Sequence, residues 1–227
     1  MKRICRYLPI LPLALLCVPF ASAQSSVDFM VGFGTAHDSA SSSGLDNSAL
    51  AQCSPIDLNS GGTCAGTPKL GGFFLGFGGD AILWKNFGIG AEVSIQPAKS
   101  QFITISGFGP LDYRQTFYDF NGIYEPVHSK RVALQLQAGV GGAKTGFSIT
   151  QSSCVASACL NQTQPFVNSN HFQIHGGVGV SLFVTEHIFI RPQFDIHYVP
   201  NLTTQPGFGS NLVTAGMVWV GYNFGSR

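Results

Sequence analysis

The stretch Leu212 to Phe224, LVTAGMVWVGYNF, constrains the fold more than any other part of this chain, because its residues change character at every second position. Phe224, Tyr222, Val220, Val218, Gly216, Thr214 and Leu212 form one row; Asn223, Gly221, Trp219, Met217, Ala215 and Val213 form the other. A strand sends alternate side chains to opposite faces, so this period of two predicts a sheet lying between two unlike environments. A helix with a single apolar stripe does not produce it. Seven further stretches share the pattern: 26–36, 70–84, 87–97, 112–124, 131–145, 170–184 and 188–198. Each is long enough to cross hydrocarbon as a tilted strand, which takes about 9 to 11 residues. Their connections alternate long and short: 37–69, 85–86, 98–111, 125–130, 146–169, 185–187 and 199–210. Transmembrane barrels have this rhythm, with short turns at one end, longer loops at the other and an even strand number that leaves no edge unpaired in lipid. The expected fold is all-β: a closed, eight-stranded, antiparallel up-and-down transmembrane β-barrel occupying 24–227.

The two faces follow from where charge costs most. One row runs through Val27, Phe29, Val31 and Phe33, then Phe73, Leu75 and Phe77, and later Ile188, Ile190, Phe194 and Ile196, with almost nothing polar in it. The opposite row carries Asp28, Asp80, Glu92, Gln96, Gln115, Asp119, Gln135, Gln137, Gln173, His175, Arg191, Gln193, Asp195 and His197. An arginine facing lipid near the midplane costs roughly 2 to 4 kcal/mol, so Arg191 is expected inside the barrel. A soluble periplasmic ligand-binding barrel also alternates, with the apolar row turned inward. Charged residues make up only 10% of the chain, against about 25% in soluble domains, and the polar row is poor in Lys and Glu. Such a row suits a crowded lumen better than a solvent-facing surface. Tyr118, Phe120, Tyr124, Tyr198, Tyr222 and Phe224 near segment ends fit an aromatic girdle at the lipid headgroups.

The first residues read as a cleavable secretory signal over 1–23. Lys2, Arg3 and Arg6 precede an apolar core interrupted by Pro9, Pro12 and Pro19, and Ala21-Ser22-Ala23 forms the cleavage site before Gln24. Without this segment nine basic side chains face eleven acidic ones, a balance that does not attract nucleic acid. Four of the six cysteines lie beyond the signal, as Cys53 with Cys64 and Cys154 with Cys159, in polar, small-residue sequence. Nearest-neighbour pairing would staple each external loop with one disulfide and suits an oxidising compartment. No histidine lies close to either pair at metal-finger spacing, so no metal site and no cofactor is expected from them.

The signal, the hairpin GGVGVSLFVTEHIFIRPQFDIHYVP at 176–200 and the aromatic ending VWVGYNF together resemble the small outer-membrane barrels typified by the OmpA transmembrane domain and by opacity-type surface antigens. The chain departs from that pattern by continuing through Gly225, Ser226 and Arg227. The resemblance implies a bacterial outer-membrane location, contact with membrane lipid and lipopolysaccharide, and handling by the barrel-assembly machinery. It also implies a structural or surface-interaction role, for which the external loops 37–69 and 146–169 are the expected contact regions for an extracellular ligand.

Candidate chemistry gathers in the lumen row: Asp80, Glu92, Arg191, Asp195 and His197, with Arg191 expected to pair with Glu92 or Asp195. Such a set could line a narrow ion-selective pore, but an eight-stranded barrel is generally filled by its own side chains, and charges inside it must be paired. A lipid A-modifying hydrolase on the same barrel would need Ser, His and an acid together at the membrane surface. His37-Asp38-Ser39, His128-Ser129 and Ser169-Asn170-His171 supply the residue types without a recognisable motif, and His171, His175 and His197 fall on the inner row. No catalytic residue is assigned. Gly139 to Thr145 has the flavour of a phosphate loop but continues a strand pattern, and its glycines are expected to make room for bulky neighbours.

Overall fold

The computed structural model describes residues 26–38, 72–105, 109–155, 158–204 and 210–225. The expected signal at 1–23 and nearly all of the 37–69 loop, with Cys53 and Cys64, lie outside the described residues. The described chain forms nine strands: β1 (Ser26–Asp38), β2 (Phe74–Trp84), β3 (Phe87–Ile95), β4 (Ser100–Ile105), β5 (Gly109–His128), β6 (Val132–Val155), β7 (Ala158–Phe183), β8 (Ile188–Tyr198) and β9 (Leu212–Phe224). Neighbours in the sheet follow the order β3-β2-β1-β9-β8-β7-β6-β5-β4, and an additional pairing of β3 with β5 closes the ring. The closed barrel therefore has eight strands, while β4 lies outside it, paired to the outer end of β5 through Ser100↔Tyr113 to Ile105↔Gly109.

Closure uses the first and last strands, with Val27 opposite Phe224 and Asp38 opposite Val213. The turns at the end where β1 starts and β9 finishes are short. Lys85 and Asn86 join β2 to β3, with Lys85 at a φ of 49°, and Ser129 Oγ both accepts from Val132 N at 3.0 Å and donates to Val132 O at 2.9 Å. Thr185 Oγ1 accepts from Ile188 N at 2.9 Å in the β7–β8 turn.

Alternation decides which face is which. In β8 every second residue is buried from Phe189 to His197, and in β9 from Val213 to Asn223. The apolar row points outward all round the barrel: Phe29 is 62% exposed, Phe77 55%, Phe172 58% and Phe194 48%. Such a continuous apolar belt is stable only against lipid. The polar row is buried inside, Arg191, Gln115 and Gln173 fully so. The soluble-barrel alternative, with the apolar row enclosed, is thereby reversed.

Three connections differ from the sequence reading. The stretch 146–169 is not an irregular loop, because β6 and β7 stay paired from Val132↔Leu182 out to Val155↔Ala158. The stretch 98–111 contains β4 and the start of β5. Neither extension keeps the strict alternation of the barrel strands: β4 reads SQFITI, and Phe147, Ser148 and Ile149 are buried in succession on β6, so the period of two is lost although backbone pairing continues. In 125–130, β5 runs on to His128 through an irregularity between Tyr124 and Val127, where Glu125 and Pro126 interrupt the register. A proline there gives up no ladder hydrogen bond. The result is a four-stranded sheet, β4-β5-β6-β7, projecting past the barrel. The run of β6 from Gly146 to Val155 adds about 30 Å at about 3.3 Å per residue.

Candidate functional site

The lumen divides into two zones along its axis. The outer zone is mainly aromatic: Phe74, Tyr113, Phe117, Phe147, Met217 and Trp219 are all buried in one cluster, with Phe74 and Phe117 stacked at 6.1 Å between ring centroids, and Thr145 Oγ1, also buried there, donates to Gln115 Oε1 at 2.6 Å. Trp219 is wholly buried, and it fits because its neighbours are glycines. A Cβ at Gly32 would come within 2.5 Å of its ring, and one at Gly76 would overlap it. Of the many glycines in the strands, these two are the ones that let the largest side chain of the interior lie flat against the wall.

The inner zone is a network of charges and amides. Arg191, from β8, donates through Nη1 to Asp80 Oδ2 at 2.7 Å and through Nε to Ser181 Oγ at 3.1 Å, and its Nη2 lies 3.7 Å from Asp28 Oδ2. The guanidinium also sits 5.0 Å from the centre of the Phe189 ring. Its partners are Asp80 and Asp28, from β2 and β1, in place of the expected Glu92 or Asp195. The strand pattern puts all five on the inside, but strand tilt and cross-barrel distance decide which meet. Gln135 Nε2 donates to Asp80 Oδ2 at 3.0 Å, and Asn223 Nδ2 donates to Asp28 Oδ1.

Glu92 and Asp195 meet a different part of the network. Gln193 Nε2 donates to Glu92 Oε2 at 2.9 Å and to Asp195 Oδ1 at 3.0 Å, while Gln137 Nε2 donates to Asp195 Oδ1 at 3.2 Å. Glutamine amides thus bridge carboxylates that would otherwise repel. One level further out, Gln173 Nε2 donates to Asp119 Oδ1 at 2.7 Å. His175 places Nε2 3.1 Å from Asp195 Oδ1 and Nδ1 2.9 Å from Asn121 Oδ1. His197, opposite His175 in the β7–β8 register, stacks between His175 at 4.7 Å and Phe117 at 4.6 Å.

Asp80, Glu92, Arg191, Asp195 and His197 are thus all buried, and the structure divides them between two linked clusters. Asp28, Asp119, Asn121, His175 and the bridging glutamines belong to the same network. The period-two row carried nearly all of these residues; what the sequence lacked was their mutual distance.

His128 Nδ1 lies 3.2 Å from Glu125 Oε2, but the neighbouring Ser129 hydroxyl is used in its own turn. Ser129 therefore serves the hairpin. Ser39 is outside the described residues. The 139–145 stretch is strand, as expected, and a Cβ at Gly142 would collide with the Tyr118 ring.

On the outside, Tyr124, Tyr198, Tyr222 and Phe224 are exposed and Tyr118 is half-buried. Tyr124 stacks on Phe87 at 4.9 Å and Tyr222 packs against Phe224 at 4.6 Å, near the short turns. Phe120 pairs with Ala91 and Val140 and is 66% exposed. At the loop end Tyr118 Oη donates to Asn170 Oδ1 at 3.0 Å. Immediately beyond that bond the outward row turns basic. Lys99, Arg114 and Lys144, with Thr116, Asn168 and Ser148, line a groove of about 300 Å³. Arg114 Nη2 donates to Pro97 O at 2.9 Å, and Asp112 is two residues from Arg114 on β5. None of the three cations forms an ion pair among the described residues.

No protein-family model and no curated sequence matches the chain. Solved structures do. A major outer membrane protein from Thermus thermophilus aligns over 89% of this chain and 100% of its own, with a TM-score of 0.54 at 12% identity. Ail, the attachment invasion locus protein of Yersinia pestis, crystallised with the heparin analogue sucrose octasulfate, aligns over 89% and 100% with a TM-score of 0.51 at 11% identity. Identity this low speaks for backbone architecture alone. Together with the closed ring of eight strands and the apolar belt around it, the alignment shows that this chain has the fold of the small bacterial outer-membrane β-barrels.

Proposed function

We propose that this barrel is a structural, surface-interacting protein of the outer membrane, and that its external sheet contacts the phosphate-bearing headgroups of lipopolysaccharide. The observation that carries this reading is the groove of Lys99, Arg114 and Lys144. It opens outward, at the level where the apolar belt gives way through Tyr118 and Asn170 to polar residues. A lipid seated on the belt brings its headgroup to this height, and cations without a carboxylate partner among the described residues are available to an anion. Arg114 supplies a planar fork, Lys144 and Lys99 mobile point charges.

The same reading gives the external extensions a role in interaction, since they lie beyond the membrane on a rigid scaffold. The register sets Cys154 opposite Cys159 near the tip of β6 and β7, which supports the local pairing of these cysteines. We extend that reading to Cys53 with Cys64, and to recognition of β9 by the barrel-assembly machinery. No catalytic role is part of the proposal.

Charge reversal tests it. Arg114→Glu with Lys144→Glu should lower lipopolysaccharide binding by the refolded protein at least tenfold, and wild-type binding should weaken steeply with salt. Equal binding by the double variant, with heat-dependent gel mobility confirming its fold, would sink the headgroup reading.

A further inference from the structure

We propose that Asp119, His175 and His197 form a binding site inside the barrel for a divalent transition-metal ion of the zinc class. Their ligand atoms, one from each residue, all lie within 4.8 Å of one another, and all three residues are buried. His175 Nδ1 is 4.0 Å from Asp119 Oδ1, and His197 Nδ1 is 3.8 Å from Asp119 Oδ2. Two imidazoles and a carboxylate are a donor set that suits zinc, nickel and copper.

Two features point to a ligand beyond this grouping. His197 is 4% exposed, yet its Nδ1 makes no hydrogen bond among the described residues and faces the carboxylate. His175 has the arrangement typical of a metal-binding histidine, with one ring nitrogen against a carboxylate, Nε2 to Asp195 Oδ1 at 3.1 Å, and the other turned towards the site. His175 Nδ1 donates to Asn121 Oδ1 at 2.9 Å, so metal binding releases this proton and leaves the Nδ1 lone pair beside Asn121 Oδ1 as neighbouring donors, with the remaining proton on Nε2. Gln173 fixes Asp119 from behind.

The surrounding charge favours a cation. Asp28, Asp80, Glu92, Asp119 and Asp195 are all buried in the middle of the lumen, where Arg191 is the one arginine among the described buried residues. Metal–ligand distances of about 2.0 to 2.2 Å place tetrahedral donors about 3.3 Å apart, so loading requires the side chains to close by about 1 Å. Side-chain rotation supplies that movement without breaking strand pairing.

The experiment refolds the full chain into detergent with zinc chloride, dialyses it against metal-free buffer and measures metal per folded chain, with cobalt(II) absorption as a second readout. One zinc per chain and a cobalt spectrum of a low-coordinate site with nitrogen ligands are expected. His197→Gln and Asp119→Asn should each reduce retained metal at least tenfold, while His187→Gln, in the β7–β8 turn, should retain it. Metal well below one per chain in the folded wild type, or equal retention by wild type and His197→Gln, would overturn the proposal. If the lumen variants fail to fold, the cobalt spectrum of the wild type decides alone; a six-coordinate, water-like spectrum rejects the site. The lipopolysaccharide-binding test is unaffected by either result.

Discussion

Replacing Arg191 with methionine tests whether the lumen network is held together by its one buried guanidinium. The side chain is completely buried, bonded to Asp80 at 2.7 Å and to Ser181 at 3.1 Å, with Asp28 at 3.7 Å. Methionine keeps much of the volume beside Phe189 but leaves two aspartates without their cation. Breaking a buried pair from one side costs about 3 to 5 kcal/mol, because the stranded charge has lost its compensation. Replacing both partners removes that charge. Arg191→Met with Asp80→Asn should therefore recover about half of the loss or more, since an Asn Oδ1 at position 80 can still accept from Gln135. With a denaturant slope of about 2 kcal/mol per molar urea, the single variant should shift the unfolding midpoint by about 2 M. Urea titration of the refolded protein, followed by heat-dependent gel mobility and tryptophan fluorescence, measures this. A single variant within about 0.5 M of wild type on that same slope, or a double variant less stable than the single, would refute the account.

Other outcomes follow from the same geometry. Gly76→Val forces a side chain into the Trp219 ring and should destabilise the barrel by about 1 to 3 kcal/mol in the same titration, with partial recovery on adding Trp219→Leu. Val140→Arg, in the middle of the outward belt, should cost about 2 to 4 kcal/mol when folding is measured in lipid bilayers. In planar bilayers the wild type should give no large steady conductance, because Phe74, Phe117, Met217 and Trp219 occupy the outer lumen; stable porin-sized steps would contradict that packing. Peptide mapping without reductant should recover Cys154 joined to Cys159, and a free thiol at either position would remove the staple from the hairpin.

The membrane-crossing parts were legible in the sequence because each strand there separates lipid from a packed interior. That contrast writes the period of two into Phe29, Val31 and Phe33 against Asp28, Met30 and Gly32 as clearly as into β9. Past the barrel the alternation breaks, as where Phe147, Ser148 and Ile149 are buried in succession. The hairpin from Thr145 to Ser169 and the strand β4 therefore read as loop, although their backbones pair regularly.

For the lumen, the sequence by itself determined membership: Asp80, Glu92, Arg191, Asp195 and His197 are inside because each occupies an inward register position. Tertiary structure alone decided partnership. Arg191 meets Asp80 and Asp28, while His175 and His197 turn towards Asp119. Alternation is a local property of each strand, whereas those distances depend on the tilt and stagger with which eight strands close.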